Sequence, residues 1–469
     1  MTIGNSKSQN DAVTCCVRWS PLLLTSVCLL SICLTAESAT AAQELHVAST
    51  GLDTNAGAAD SPLLTLSVAV KRLKSDDVII MHGGTYSLSR QIELDVPGTA
   101  IRGAAEEAVV LEHGDFDGSI ILVTAEGVTI EGLTFDGRFV TKARGIKGKG
   151  SANRLAIRHC EVKHCANHAI DVDGADCRIE DCHIHHNLWW NKERSGPEDA
   201  HGIVTMYSKR LLIKACRIHH VSGDCFQCDR GVWENITIED CDFSNGALEE
   251  DMAGFKKGAS PGEDGIDTKI IAGKEQGRLI VRHCRFHDFH SSFLGTPAAM
   301  NLKENVDVVV DGCDVSNAVV GFRLRGTGRG NMWPTVINCT IRDCDTAVRY
   351  EDNLQNFRFV HNTIAACKKT FQRAPEKSPW GKGWVVANNL LVDVTRFPEE
   401  VRTANNASLP RKFVDPETLR PTISKRLGGK PTAGFVPQWY ATRVEVDQCG
   451  KERSETTPTM GAHELGAEQ

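Results

Sequence analysis

Seven cysteines recur in one local setting along this chain, and their spacing strongly limits the folds open to it. Two examples of that setting are Arg-His-Cys-Glu-Val and Glu-Asp-Cys-His-Ile. The cysteines are Cys160, Cys182, Cys216, Cys241, Cys284, Cys313 and Cys339. The shortest step, from Cys160 to Cys182, is 22 residues. A short fixed period with longer steps where loops intervene is typical of the coils of a solenoid.

The residues around each cysteine form short β-branched runs in which apolar and polar positions alternate, as in Asn-Ile-Thr-Ile-Glu-Asp-Cys-Asp-Phe. Such runs predict short strands with one buried face. The chain is therefore predicted to be all-β, a right-handed single-stranded parallel β-helix. Residues 62–74 have helical spacing and predict an N-terminal capping helix. We expect the β-helix and its cap to span residues 42–395, and residues 396–469 to form an irregular tail packed on the solenoid.

Residues 1–41 have the pattern of an export signal. Lys7 and Arg18 precede an apolar stretch over residues 21–34, and Ala39-Thr40-Ala41 supplies an A-x-A cleavage site. The protein is therefore expected to be secreted, periplasmic or at the cell surface, with no membrane span after signal removal.

The signal holds four of the 18 cysteines, which leaves 14 in the mature chain. Export normally favours disulfides. One cysteine per repeat in a single register instead predicts a stack of buried, reduced thiols.

The charge balance limits the partners of the chain. Lys and Arg number 53 and Asp and Glu 60, which gives a formal net charge of −7. Without a basic excess the chain cannot displace the counterions of a nucleic acid, so no nucleic-acid partner is expected. The protein is expected to be a monomer.

A second register, on the strand before each cysteine, predicts two outward-facing columns of side chains. Alternation along a strand and stacking of coils about 4.8 Å apart would align these positions. The first column is Asp171, Val204, Gln227, Asp267, Asn301, Arg323 and Arg349. The second is Asp173, Met206, Asp229, Lys269, Lys303, Arg325 and Glu351. Carboxylates occupy the early coils and cations the later ones.

The densest acidic group combines Asp224 with Glu263, Asp264 and Asp267. Carboxylates that converge repel one another unless a cation neutralises them, and a set of hard oxygen ligands favours Ca²⁺. The alternative is an acidic turn held by backbone N–H groups.

Lys303 lies one coil beyond Asp267, and Arg325 lies one coil beyond Lys303. Nearby positive charge disfavours the ammonium form of a lysine, which suits a general base. Lys303 and Arg325 are therefore the predicted catalytic residues, although each alone could simply be a solvated surface cation. The polar residues predicted to bind substrate are Lys269, Asn301, Arg323 and Arg349.

The run Glu263-Asp264-Gly265-Ile266-Asp267, with Asp224 one coil earlier and Lys303 one coil later, resembles the calcium-dependent β-helix pectate lyases of polysaccharide lyase family 9. The resemblance implies that the four carboxylates bind calcium and that Lys303 is the base. The Lys303 and Arg325 pair is also similar to family 6, the chondroitinase B and alginate lyases. Two departures are Glu263 in place of the family's first Asp and a charged insertion over residues 247–262.

The resemblance implies a secreted lyase that cleaves an acidic, uronate-containing polysaccharide by calcium-assisted β-elimination. A non-catalytic glycan-binding or structural β-helix of the cell surface is an alternative. A polygalacturonase-like hydrolase is another, since Asp171 and Asp173 share a strand face, but the Asn-x-Asp and Gly-Asp-Asp strings of that family are missing.

Histidines form a separate pattern near the stacked cysteines. They are His185, His219 and His287, with His186 and His220 beside two of them. Imidazoles with nearby thiols could bind Zn²⁺. Stacking along the turn ladder explains the same positions and is the favoured interpretation.

Overall fold

The strands of this chain pair in parallel, each with its equivalent on the next coil. The computed structural model describes residues 42–270, 275–326, 332–374, 382–394, 396–399, 401–423, 427–429, 437–440 and 446–465. In those residues 38 strands form three parallel sheets, called here sheets A, B and C, and two further strands form a hairpin. The predicted all-β parallel β-helix is confirmed. The export signal predicted in residues 1–41 lies outside the described residues.

Each coil passes through sheet B, then sheet A, then sheet C. Sheet A contains Glu44–Val47, Val78–Met81, Ala100–Gly103, Thr129–Glu131, Ala156–Arg158, Arg178–Glu180, Leu212–Lys214, Ile236–Glu239, Gly277–Arg282, Val306–Asp311, Trp333–Ile337, Arg358–Val360, Val385–Ala387 and Thr403–Ala404. Sheet B contains Ile92–Leu94, Ser119–Val123, Arg144–Gly148, Ile170–Val172, Ile203–Thr205, Phe226–Gly231, Ile266–Ile270, Ala298–Leu302, Val320–Arg325, Thr346–Glu351 and Lys369–Arg373. Sheet C contains Gly84–Leu88, Val109–His113, Thr134–Asp136, Glu161–Lys163, His183–Asn187, Arg217–Val221, Asp242–Ser244, Arg285–Phe289, Asp314–Ala318, Thr340–Arg342, Thr363–Ala365, Leu390–Val392 and Ala407–Leu409.

The stacked cysteines occupy the short turn between sheets A and C. The residue before each of them has a positive φ, for example 52° at Asp181 and 53° at Ala215. This left-handed residue turns the chain sharply and directs the next side chain inward. Cys182 and Cys216 are each at most 2% exposed, and the cysteines of the described residues are free thiols. The predicted stack of reduced, buried thiols is confirmed.

Asparagines replace the cysteines at the same turn in the later coils. The side chain of Asn362 accepts a hydrogen bond from Cys339 N at 2.9 Å and donates one to Val336 O at 2.9 Å. Asn389 repeats the pattern with the backbone of Asn362 at 2.9 Å. Asn406 continues it, which extends the coils to Leu409, beyond the predicted limit at residue 395.

Replacing Asn362 with alanine is expected to lower the thermal midpoint markedly. The change leaves the buried Cys339 N–H without its partner, at a cost of about 2 kcal/mol. Thermal unfolding followed by circular dichroism measures this. Cys313→Ala, which removes one buried thiol from the same stack, should cost only about 1 kcal/mol. Equal shifts for the two variants would contradict the ladder argument.

The capping helix is shorter than predicted, spanning Leu66–Val70 rather than residues 62–74. Leu63 N donates to His46 O at 2.8 Å, so β-pairing takes up the first residues of the predicted helix. The side chain of Thr65 caps the helix by accepting from Val68 N.

The chain after the last coil packs along the solenoid. Tyr440 Oη donates to Asp311 Oδ2 at 2.8 Å, and the buried Arg453 donates to Asn338 Oδ1 at 2.9 Å. The described residues from 42 onward belong to one compact unit. Two 3₁₀ helices, Arg411–Phe413 and Gln438–Tyr440, lie in this tail. Within the described residues, no helix is both long and apolar enough to cross a membrane.

A hairpin formed by Trp189–Asn191 and Gly196–Glu198 interrupts one coil between sheets C and B. Trp190 packs edge-on against Phe255 and Phe293, at 5.1 and 5.9 Å between ring centroids. Phe255 belongs to the insertion over residues 247–262. The insertion and the hairpin therefore form a small apolar cluster beside sheet B.

Candidate functional site

The outward face of sheet B holds the predicted column of polar side chains. Backbone pairing joins Asp171 to Val204, Gln227 to Asp267, Asn301 to Arg323, and Arg323 to Arg349. Alternation along each strand and parallel stacking in register produce this alignment. The first predicted column is confirmed as a line of stacked positions.

Three carboxylates meet where the chain enters two neighbouring strands of this sheet. Asp224, Asp264 and Asp267 are 1%, 5% and 4% exposed. Asp264 N donates to Asp224 Oδ1 at 3.1 Å, which ties one coil to the next. Asp224 Oδ2 is buried and has no hydrogen-bond partner among the described residues.

Asp264 is held by the coil that follows it. Its Oδ1 accepts from Ala298 N at 2.6 Å and its Oδ2 accepts from the Asn301 amide at 2.8 Å. Asn301, which is predicted to bind substrate, is 5% exposed and orients this carboxylate.

Two lysines each contact one carboxylate oxygen of Asp267. Lys303 Nζ lies 2.8 Å from Asp267 Oδ1, and Lys269 Nζ lies 3.2 Å from Asp267 Oδ2. Lys269 also donates to the side-chain oxygen of Gln227. Lys269 and Lys303 are therefore the cations that neutralise this cluster, and Lys303 belongs to it as predicted.

The carboxylates hold their protons more tightly than usual. Burial, followed by repulsion from Asp267, raises the pKa of Asp264 to about 7 and that of Asp224 well above its ordinary value. Burial and the charges of Asp199 and Asp264 raise the pKa of Glu263 to about 7. A bound cation would relieve the repulsion among these carboxylates and stabilise their ionised forms.

Two residues of the site were not predicted from the sequence. The buried ring of His201 accepts a hydrogen bond from Asp224 N at its Nδ1, at 2.8 Å, and burial lowers the pKa of the ring to about 3. Asp199 has a raised pKa because of burial and then of its acidic neighbours. Both follow the hairpin, and Gly-Pro-Glu-Asp-Ala-His (residues 196–201) is the only sequence signal that could have indicated them.

The arginines form a separate group. Arg323 and Arg349 lie 3.0 and 2.8 Å from Glu351 Oε1 through their Nε atoms. Arg325 pairs with Glu351 and with Asp352, at 3.3 and 3.0 Å. Arg325 lies one coil beyond Lys303, as predicted, since the preceding residues Leu302 and Leu324 pair in register; Glu351 and Asp352 engage its guanidinium.

A cleft of about 350 Å³ opens beside the carboxylates. Its lining includes the acidic side chains of Asp199 and Glu263 and the apolar side chains of Phe293 and Leu294. The two apolar side chains are 41% and 40% exposed. A cleft lined by both acidic and apolar side chains can hold a ring that has both polar edges and apolar faces.

The acidic cluster has the donor chemistry of a calcium site: up to four carboxylates, one of them with an unpartnered buried oxygen. Among the described residues, the groups of three side chains with ligand atoms all within 4.8 Å of one another consist of histidines. The carboxylates are not among those groups. Among the described residues, three carboxylate oxygens of this cluster therefore do not converge within that distance.

Comparison with known proteins places the chain in a family. Residues 45–282, half of the sequence, match the family described as "Pel9A-like, right handed beta helix region". Residues 259–374 match a second family, described as "Right handed beta helix region". No curated protein matches the sequence.

Solved structures share the fold at low identity. Pectate lyase Pel9A is 14% identical, covers 90% of this chain and 96% of its own, and has a TM-score of 0.47. Alginate lyase from Paenibacillus sp. str. FPU-7 is 16% identical, with coverages of 72% and 97% and a TM-score of 0.41. The Streptococcus pneumoniae surface protein and adhesin PfbA is 12% identical, with coverages of 71% and 89% and a TM-score of 0.48.

Proposed function

The chain belongs to the Pel9A-like right-handed β-helix family, and from this premise we propose that it is a lyase that cleaves uronate-containing polysaccharides by β-elimination. The observation that carries the proposal is the position of Lys303. Its amine lies 2.8 Å from Asp267, at the edge of a buried carboxylate cluster that adjoins an open cleft. The predicted export signal would place the activity outside the cytoplasm.

The residues would divide the reaction as follows. The Lys303 ammonium first releases its proton to solvent; the neutral amine then takes the proton from C5 of the uronate, the electron pair forms the C4=C5 double bond, and the C4–O bond breaks. The leaving oxygen receives a proton from water. Asp267 positions the amine of Lys303 through their ion pair.

Asp224, Glu263, Asp264 and Asp267 would hold calcium, which, when bound, supplies positive charge that masks the substrate carboxylate. Asp264 is oriented for this by Ala298 N and by Asn301. Asp224 contributes the oxygen that lacks a partner.

The proposal is tested by a screen of acidic polysaccharides. Pectate, alginate, chondroitin, dermatan and heparin are incubated with the chain in calcium and in chelator, and ultraviolet absorbance reports unsaturated products. Calcium-dependent absorbance on one of them supports the lyase. New reducing ends without absorbance would indicate a hydrolase instead, and binding without cleavage would indicate a glycan-binding module.

Phe293 is expected to bind the sugar next to the cleaved bond. Phe293→Ala removes an exposed ring from the cleft wall and should raise KM about tenfold with little change in kcat, because a tenfold change corresponds to about 1.4 kcal/mol of binding. Initial rates over a range of substrate concentrations measure this. Trp333, 40% exposed on sheet A, supplies the control, and Trp333→Ala should leave KM unchanged. An equal rise in both variants would argue against a cleft subsite.

A further inference from the structure

Five histidines lie together on sheet C, on a different sheet from the carboxylate cluster. His185 pairs in register with His219 on the next coil, and their rings stack at 5.3 Å between centroids. His186 stacks on His220 at 4.8 Å, with the ring planes 4° apart. His183 completes the group, 2.8 Å from His219 between Nε2 atoms.

The backbone is bent to bring neighbouring rings to one side. Successive side chains on a strand normally face opposite ways. His186 and His220 have φ of 51° and 49°, in the left-handed region that non-glycine residues seldom adopt. As a result, the Nδ1 atoms of His185 and His186 lie 2.7 Å apart, and those of His219 and His220 lie 2.6 Å apart.

In these contacts, the ring nitrogens of neighbouring imidazoles face one another. A neutral imidazole has one N–H and one lone pair, and His219 has both nitrogens against other imidazoles. His185 Nε2 lies 2.9 Å from Glu161 Oε1, and a proton on this nitrogen would leave the lone pair of Nδ1 directed at His186. Burial lowers the pKa of His183 to about 4 and that of His186 to about 3.

Two sets of three ligand atoms lie within 4.8 Å of one another: His183, His185 and His219 in one, and His186, His219 and His220 in the other. We propose that this histidine cluster binds one divalent transition-metal ion, with His219 as the ligand common to both sets. Imidazole nitrogens suit Zn²⁺, Ni²⁺ and Cu²⁺, and Zn–N bonds are about 2.0–2.1 Å long. Glu161 orients the ring of His185, as carboxylates do behind metal-bound histidines.

The stacked thiols are not part of this site. Cys182 and Cys216 point inward, at most 2% exposed, and contact backbone carbonyls at 3.3 Å. His287 lies two coils beyond His219 in the same column, but its nitrogens contact Asp242 and Asp288 at 3.1 and 2.6 Å. His287 is therefore a suitable control for His219: it occupies the same column, but its partners are carboxylates and not imidazoles.

The test is an isothermal calorimetric titration, in which zinc chloride is added to the chelator-treated full chain. We expect one Zn²⁺ per chain, and His219→Gln should weaken binding at least tenfold, whereas His287→Gln should not. Co²⁺ in place of Zn²⁺ should produce visible absorption bands that His219→Gln removes. Circular dichroism checks that each variant is folded.

If His219→Gln does not fold, two other variants test the proposal. His183→Gln and His220→Gln each remove one member of one set, and at least one of them should weaken binding tenfold. Asp264→Asn separates this site from the carboxylate cluster and should leave Zn²⁺ binding unchanged. Absence of binding to the native chain, or binding lost in Asp264→Asn alone, would overturn the proposal.

Discussion

Replacing Lys303 with alanine is expected to lower the elimination rate by about 10³-fold, because a positioned general base contributes 10²–10⁴-fold to a proton transfer. The side chain is 14% exposed and its charge pairs with Asp267 on the preceding coil. Its loss removes the proton acceptor while the strand and its neighbours keep their backbone pairing. Initial rates from ultraviolet absorbance, at saturating substrate and calcium, measure the change.

The matched control for this prediction is Lys368→Ala. Lys368 also pairs with an aspartate, Asp345, at 2.6 Å, but its side chain is 77% exposed. Its removal should leave kcat and the thermal midpoint almost unchanged. If Lys303→Ala retained more than a tenth of the native rate, Lys303 would not be the base, although the fold assignment would stand.

Replacing Asp264 with asparagine is expected to abolish the calcium response and to stabilise the metal-free chain at alkaline pH. The pKa of Asp264 is raised to about 7 from an ordinary value of 3.8. The folded state therefore binds this proton more tightly than the unfolded state does. Below pH about 4 the carboxyl is protonated in both states and does not lower the free energy of unfolding. From there to pH about 7 the free energy of unfolding falls, and above pH about 7 the full loss is present.

The stability advantage of Asp264→Asn over the native chain should therefore grow with pH, by about 2.5 kcal/mol between pH 5 and pH 8. The substitution fits the site because rotation of the Asn301 amide could present its buried, unpartnered Oδ1 to the new amide. Denaturant unfolding in chelator, at both pH values, measures the difference.

Addition of calcium at pH 8 should stabilise the native chain and leave Asp264→Asn unaffected. Asp345→Asn, at an ion pair of a later coil, serves as the control and should respond to calcium as the native chain does. A calcium response that persists in Asp264→Asn would remove this carboxylate from the proposed ligand set. A stability difference independent of pH would show that the charge of Asp264 is not the cause.

Much of the scaffold could be predicted because a parallel β-helix repeats one local pattern. The cysteine register indicated the turn between sheets A and C, and strand alternation indicated that Gln227, Asp267 and Asn301 stack. The same reasoning brought Lys303 beside Asp267. It worked because both residues lie on coils whose register is set by buried apolar side chains.

The rest of the site depended on side-chain partners and on segments that depart from the repeat. Periodicity placed Arg325 one coil beyond Lys303, but it could not show that Glu351 and Asp352 engage the guanidinium. Asp199 and His201 reach the cluster after a hairpin whose course no periodicity encodes. The five histidines could be seen as a ladder, but only the positive φ of His186 and His220 brings neighbouring rings to one side.

By itself, the amino-acid sequence determined the coil, its register and the face on which charged residues collect, because these follow from periodicity and burial over short distances. Only the tertiary structure decided which oxygen lacks a partner, which cation meets which carboxylate and which imidazoles touch. Those outcomes depend on competition among side chains from several coils within a few ångströms, where one alternative ion pair or one left-handed residue changes the result.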